Sequence, residues 1–167
     1  MSWFARLLGY VPERERQGIS LNRRSAWWEL NGIRDVPAFL RCLGQLFGEH
    51  MVLYLEGTSA DDVQAFLRAR AAANTSRVAM GTIWPRPRVF HMPLTAENLT
   101  GLAELAEHHA APEVCRHLHV YQGQTVWLEA YDFPDDPVCV SGEAAEDLLK
   151  AFCVALGCRY NKVTSEK

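Results

Sequence analysis

No apolar run in the chain approaches the ~20 residues needed to span a bilayer. The opening stretch, Met-Ser-Trp-Phe-Ala-Arg-Leu-Leu-Gly-Tyr, is too short and too interrupted to form a signal-peptide core. Disulfide patterning is missing as well. The five cysteines, Cys42, Cys115, Cys139, Cys153 and Cys158, are odd in number and show no C-x-x-C spacing, so they read as buried, reduced thiols of a cytoplasmic protein. Nor is there an excess of positive charge. Lys plus Arg number 17 against 20 Asp plus Glu, a formal net charge of −3, which argues against a nucleic-acid reader that relies on bulk positive charge. Gly-rich phosphate cradles, G-x-S-x-G and H-E-x-x-H are absent, which weakens the familiar enzyme classes.

What is present is an average globular chain of 167 residues, 49% hydrophobic and 22% charged. That length suits one domain with a core of its own. Charge is unevenly spread: residues 1–34 carry a net +3 and the remainder −6. A basic arm on an acidic body is expected to lie back across it, with docking to an acidic partner as the second reading.

Residues 1–34 are read as an irregular or helical arm docked on the body, 35–158 as one α+β domain, and 159–167 as a frayed tail. In the arm, Trp3, Phe4, Leu7 and Leu8 share a helical face, and Trp27 and Trp28 are expected to anchor the arm within a short helical segment. In the body, Asp35 caps a helix carrying Val36, Phe39, Leu40, Leu43 and Phe47, stopped by Gly48. Met51 to Glu56 reads as a buried strand ended by Gly57, and Thr58 or Ser59 caps a helix over Val63, Phe66 and Leu67. Strands are expected over Arg77–Trp84 and Arg88–Met92, and a helix capped by Thr95 runs to about His109. A hairpin spans Cys115–Tyr131, a strand Val138–Val140, and a last helix ends at Gly157. Gly57 and Gly142 each follow a strand and precede an acidic helix start, and read as two uses of one turn. The order α-β-α-β-β-α-β-β-β-α implies a two-layer α+β sandwich. Its sheet is mixed or mainly antiparallel, with helices mostly on one face.

The hairpin carries the main inference. A three-residue turn at Gln122-Gly123-Gln124 pairs Val120 with Val126 and Leu118 with Leu128, which leaves one clean apolar face. The other face then presents His117, His119, Tyr121, Thr125, Trp127, Glu129 and Tyr131, with His117 opposite Glu129 and His119 opposite Trp127. Of these, His117, His119, Tyr121, Trp127, Glu129 and Tyr131 are the candidate ligand- or partner-binding residues. The plain alternative is an ordinary sheet surface, or packing beneath the N-terminal arm. A strand His-x-His also suits Zn²⁺, so a metal set of His117, His119 and Glu129, with His108 or His109 completing it, is the catalytic alternative.

Three lesser candidates complete the inventory. Cys115 and His117 lie two apart, as a thiolate–imidazole pair would. Trp84-Pro-Arg-Pro-Arg88 offers two guanidiniums and an indole able to grip phosphate or carboxylate, or is a stiffened hairpin with solvated arginines. Asp132, Asp135 and Asp136 lack the glycine and distal glutamate of a Ca²⁺ loop and read as turn formers. The function expected is therefore a non-catalytic module binding a small ligand or a protein through the aromatic and histidine sheet face. It would use no nucleic acid and no membrane. The rival is a zinc-assisted hydrolase centred on His117, His119 and Glu129, and a third reading is a homodimer formed through an uncovered sheet edge.

Overall fold

The computed structural model describes residues 8–48 and 50–164. Among them the elements run α1 (Glu13–Arg16), β1 (Trp27–Asn31), α2 (Val36–Leu43), β2 (Val52–Glu56), α3 (Asp61–Ala69), β3 (Val89–Pro93), α4 (Ala96–Ala106), α5 (Ala111–Val114), β4 (His117–Gln122), β5 (Thr125–Ala130), β6 (Val138–Ser141), α6 (Glu146–Leu156) and β7 (Arg159–Val163). The strands form one antiparallel sheet in the order β3-β2-β4-β5-β6-β1-β7. The fold is α+β, and its element order follows the sequence reading apart from the changes below. Among the described residues no helix is long and apolar enough to cross a membrane.

The helices α2, α3, α4 and α6 bury their apolar stripes on one face of the sheet. Phe39 and Leu43 of α2, Leu102 of α4 and Phe152 of α6 meet Leu53, Leu118 and Leu128 in a core from which solvent is excluded. Two of the expected caps are in place. Asp35 Oδ1 accepts the Ala38 N–H at 2.8 Å, and Thr95 Oγ1 accepts the Asn98 N–H at 3.2 Å; each satisfies a helix-start donor that would otherwise lack a partner. Gly157 ends α6 in the left-handed region (φ 61°), a conformation glycine adopts without steric cost.

Several expectations are corrected. Trp27 and Trp28 lie on strand β1, not in a helical segment. Trp28 enters the helix-side core while Trp27 packs against the cluster on the opposite face, an alternation that only an extended chain provides. The tail is not frayed through residue 163. It pairs with β1 as β7, and Tyr160 meets Trp28 edge to face at 5.7 Å while Lys162 Nζ sits 4.7 Å over the same indole. Residues 77–84 are not a sheet strand, for only Val78 forms a bridge, parallel to Ile19. The helix that Gly48 was to stop ends at Leu43, capped by Gly44, and α3 begins after Ala60 with no side-chain cap from Thr58 or Ser59. Gly57 and Gly142 are not one turn used twice. Gly57 needs its positive φ of 84°, whereas a Cβ on Gly142 would lie 2.2 Å from the Ala26 carbonyl oxygen. The stripe begun by Trp3, Phe4 and Leu7 falls outside the described residues.

The second face of the sheet is covered by irregular chain. Residues 11–19 and 77–83 are stitched together by backbone hydrogen bonds: Val11 N to Ile83 O, Ile19 N to Arg77 O, Ala79 N to Ile19 O and Met80 N to Arg16 O, all 2.8–3.0 Å. Leu21 and Val78 from this cover pack on Tyr54, Tyr121, Val126 and Cys139. Residues 11–21 lie over the face that the helices leave free, while residues 27–31 are part of the sheet itself.

Candidate functional site

The hairpin keeps Leu118, Val120, Leu128 and Ala130 toward the helices, as the apolar pattern requires. Its register differs from the one expected. The turn has two residues, Gly123 and Gln124, between the paired Gln122 and Thr125. The ladder then slips so that Tyr121 faces Val126 while Val120 faces Leu128. Trp127 is the extra residue of this bulge. It packs against the helix-side core, so it does not share the histidine face, and Val126 takes the place there. The apolar Val126 is tolerated because that face is dry. The cross-strand partner of His119 is consequently Glu129, not Trp127.

His117, His119, Tyr121, Glu129 and Tyr131 do come together, joined by Tyr54, Glu56 and His91, which sequence reasoning did not single out. Each ring meets the next edge-on: His117 and His119 lie 5.4 and 5.2 Å from Tyr131, His119 lies 5.3 Å from Tyr54, and Tyr54 lies 5.2 Å from His91. The surface is not open. His119 and Glu56 are wholly inaccessible, and His117 and Glu129 nearly so.

Two carboxylates clamp the cover onto this face. Glu129 accepts the Leu21 N–H at 2.9 Å through Oε2 and Arg23 Nη2 at 2.9 Å through Oε1. Glu56 accepts the Thr82 N–H at 2.7 Å, the Gly81 N–H at 3.2 Å and the Tyr54 hydroxyl at 2.7 Å. Gly81 lies so close to the cluster that an added Cβ would stand 2.7 Å from the rings of His117 and Tyr131. Tyr121 Oη accepts from Ser76 N at 3.2 Å and lies 2.9 Å from His91 Nδ1. Buried carboxylates are stable only with such donors around them.

The electrostatics follow from burial. Desolvation, reinforced by the neighbouring His117, pushes His119 down to about 3, so its imidazole is neutral at physiological pH. Both of its ring nitrogens lack a hydrogen bond among the described residues, and Glu129 Oε2 lies 3.8 Å from Nε2. Burial also raises the Tyr54 and Tyr131 hydroxyls, with Glu56 adding for Tyr54 and Glu129 for Tyr131. His117 Nδ1 accepts the Asp132 N–H at 2.9 Å, while Nε2 lies 3.9 Å from Glu56 Oε1, beyond hydrogen-bond distance.

The zinc set is not assembled. Among the described residues no three His, Cys, Asp or Glu side chains converge as metal ligands. His117 looks toward Glu56 and His119 toward Glu129. His109 lies 2.9 Å from the carboxylate of Asp62, and it is not drawn into this cluster. The Cys115–His117 pair is likewise broken up. Cys115 precedes the strand and enters the helix-side core, where burial pushes its thiol up to about 12 and removes the thiolate.

Of the six candidate side chains, His117 also lines a cavity of about 440 Å³. Its other walls include Tyr10, Gly81, Ile83, Trp84 and Asp132. Tyr10, Ile83 and Trp84 are about half exposed. The Trp84 indole N–H donates to the Leu8 carbonyl, which holds the ring at the rim. A second cleft of about 550 Å³ adjoins it and shares Thr82 and Arg116.

Glu56, the residue most missed, left one trace in the sequence: it stands two positions after Tyr54 at the end of an apolar run, and so on the face opposite Leu53 and Leu55. Tyr10 and Gly81 left none, because they reach the site through long-range packing. Comparison with known protein families, curated proteins and solved structures finds no match for this chain.

Proposed function

We propose that the chain is a non-catalytic module that binds a small molecule, whose planar or apolar part sits in the cavity between Tyr10, Trp84 and His117. What supports the reading is the contrast at the histidine cluster. Most of the cluster is sealed beneath the cover, whereas the edge of His117 borders an opening with two exposed aromatic rings at its rim. The volume lies within the range of small-ligand pockets, and the lining sets the Tyr10, Ile83 and Trp84 side chains beside the polar Thr82, Arg116 and Asp132. Tyr and Trp give a large contact area with few rotatable bonds to freeze.

A proton-transfer role for His117 through Nδ1 is disfavoured by geometry. That nitrogen already accepts a backbone N–H, so it is not left for a substrate proton.

Phenol and indole serve as ring probes, followed by NMR shifts of the full chain. Saturable shifts are expected at residues 81–84 and at His117. Trp84→Ala and Tyr10→Ala should each weaken binding by about tenfold, on the order of the 0.5–1.5 kcal/mol an aromatic pair adds beyond area burial. His119→Phe should leave it unchanged. Probe binding that survives both rim substitutions, or shifts centred elsewhere, would sink the reading.

A further inference from the structure

We propose that the cleft beside this cavity is a phosphate-monoester subsite, so that the ligand is a small phosphorylated molecule carrying a planar ring. The inference rests on the binding reading above and names the ligand's chemistry.

The cleft lies where β2 leaves the sheet and turns into α3. Its walls include Thr58, Thr82, Arg86, Arg88 and Arg116. Guanidinium forks match the oxygens of a phosphate bidentately. Among the described residues the Arg116 side chain makes no hydrogen bond or ion pair. Its stem crosses the Gly57 turn, where a Cβ would lie 3.1 Å from Arg116 Cβ. Arg88 donates to Gln64 Oε1, and among the described residues the rest of its fork makes no hydrogen bond.

Gln64 is the strut of the site. Almost completely buried, it donates through Nε2 to the carbonyls of Thr58 and Ser59 at 3.0 and 3.2 Å, and its Oε1 accepts from both Arg68 and Arg88. One amide thus fixes the Thr58–Ser59 turn and a guanidinium in a single arrangement, as a preorganised site requires.

The independent sign of a missing partner is a pair of hydroxyls. Thr58 is 3% exposed, and among the described residues its Oγ1 has no hydrogen-bond partner; Thr82 Oγ1 is also buried and, among the same residues, unpartnered. A buried polar atom without a partner is rare in folded chains and carries a cost. Here both hydroxyls belong to residues in the wall of one cleft, together with three guanidiniums. A phosphoryl group seated between the guanidiniums would bring an acceptor to that wall.

The opposing charges narrow the class. Asp61 and Glu113 also line the cleft, and Arg86 is already paired with Glu15 at 2.9 Å. With Arg86 taken by Glu15, the guanidiniums of Arg88 and Arg116 are matched by the carboxylates of Asp61 and Glu113, so the cleft carries no net positive excess. A balanced site disfavours a polyphosphate or a nucleic-acid backbone and leaves a single phosphoryl head, held by the two forks, as the fitting class. Thr82 and Arg116 belong to both cavities, which puts the head group next to the aromatic rim.

The test is calorimetric titration of the full chain with inorganic phosphate, phenyl phosphate and phenol, which separates free phosphate, the joined ligand and the ring alone. Phenyl phosphate is expected to bind at least about tenfold more tightly than either part. Arg116→Ala should weaken both phosphate probes by about tenfold or more, with melting temperature unchanged, since the side chain is exposed. Thr58→Val should weaken the phosphate probes while holding or raising the melting temperature of the free protein, because it deletes an unpartnered hydroxyl at constant shape. Phosphate probes that fail to bind at millimolar concentration, or that bind equally to Arg116→Ala and Thr58→Val, overturn the subsite. If phenol still binds in that case, the ring-binding reading stands by itself. If phosphate binds and phenol does not, the subsite stands and the ring-binding reading falls.

Discussion

On one face of the sheet, Leu53, Leu118 and Leu128 meet the apolar stripes of four helices. On the other, Tyr54, His119 and Glu129 are buried as deeply, yet what covers them is irregular chain tied down by hydrogen bonds to carboxylates. The two faces are equally dry and differently made. Apolar contacts are non-directional and numerous, so the loss of one is shared among neighbours. A carboxylate that accepts two backbone N–H groups is directional and has no substitute, so the polar face concentrates its stability in a few bonds. The proposed binding surface sits at the edge of the cover, where the hydrogen-bonded segment ends in exposed rings.

Four perturbations break or sharpen this contrast. The largest effect is expected on the helical face. Phe39 is fully buried and touches the rings of Phe133 and Phe152 at 4.8 and 5.8 Å. Phe39→Ala should cost about 3–5 kcal/mol in denaturant unfolding, through lost burial and a residual cavity; a loss below about 1 kcal/mol would mean that the helical face is not the main core.

Glu56→Ala comes second. It strips the acceptor from the Gly81 and Thr82 N–H groups and from the Tyr54 hydroxyl, at about 1–3 kcal/mol for groups left unsatisfied. Amide exchange should quicken at Gly81 and Thr82 and stay slow in α2 and α4. Uniform quickening across the chain would contradict a separately held cover.

Third is the response to acid. His119 has its folded value depressed to about 3, while an unfolded histidine takes up its proton near 6.5. Burial moves His91 in the same direction. The unfolded chain therefore binds more protons between these values. The stability these residues support is present above about 6.5 and is lost as pH falls toward 3, by up to about 1.4 kcal/mol per pH unit for each histidine. His119→Phe should flatten that slope in urea titrations between pH 6 and 4; an unaltered slope would show that His119 is not the group responsible.

The smallest effect belongs to Arg23→Ala. Glu129 is buried, but the guanidinium is 45% exposed, so water can take its place at Oε1 and the expected loss is about 1 kcal/mol. A larger loss would transfer the anchoring of the arm from the Leu21 N–H to the salt bridge.

Much of this architecture is written in local periodicity. The stripe Phe39, Leu40, Leu43 and the caps Asp35 and Thr95 place α2 and α4, and the alternation Leu118, Val120 against His117, His119 separates the two faces of β4. The bulge at Trp127 was not legible. Apolar patterning assigns Val126 to the helical face only if the other face is wet, and the cover that dries it comes from residues more than forty positions away. The strand character of Trp27 and Trp28 was hidden for a similar reason, since β1 is completed by β6 and β7 from the far end of the chain. At the site, the histidines and Glu129 declared themselves through spacing. Glu56, Gly81 and Tyr10 did not, because only the folded topology makes them neighbours. The two arginines of the Trp84–Arg88 segment were visible as a grip for phosphate or carboxylate, but Arg116, Thr58 and the Gln64 strut that complete the cleft were not.

The most direct test of the sealed polar face is the protonation of His119 in the folded protein, followed by NMR of its imidazole from pH 8 downward. The expected result is a neutral ring with constant shifts to below about pH 4, changing only as the cover is released. A reversible titration near pH 6.5 in the folded chain would mean that water reaches the cluster, and would contradict the division between a closed histidine face and an open rim.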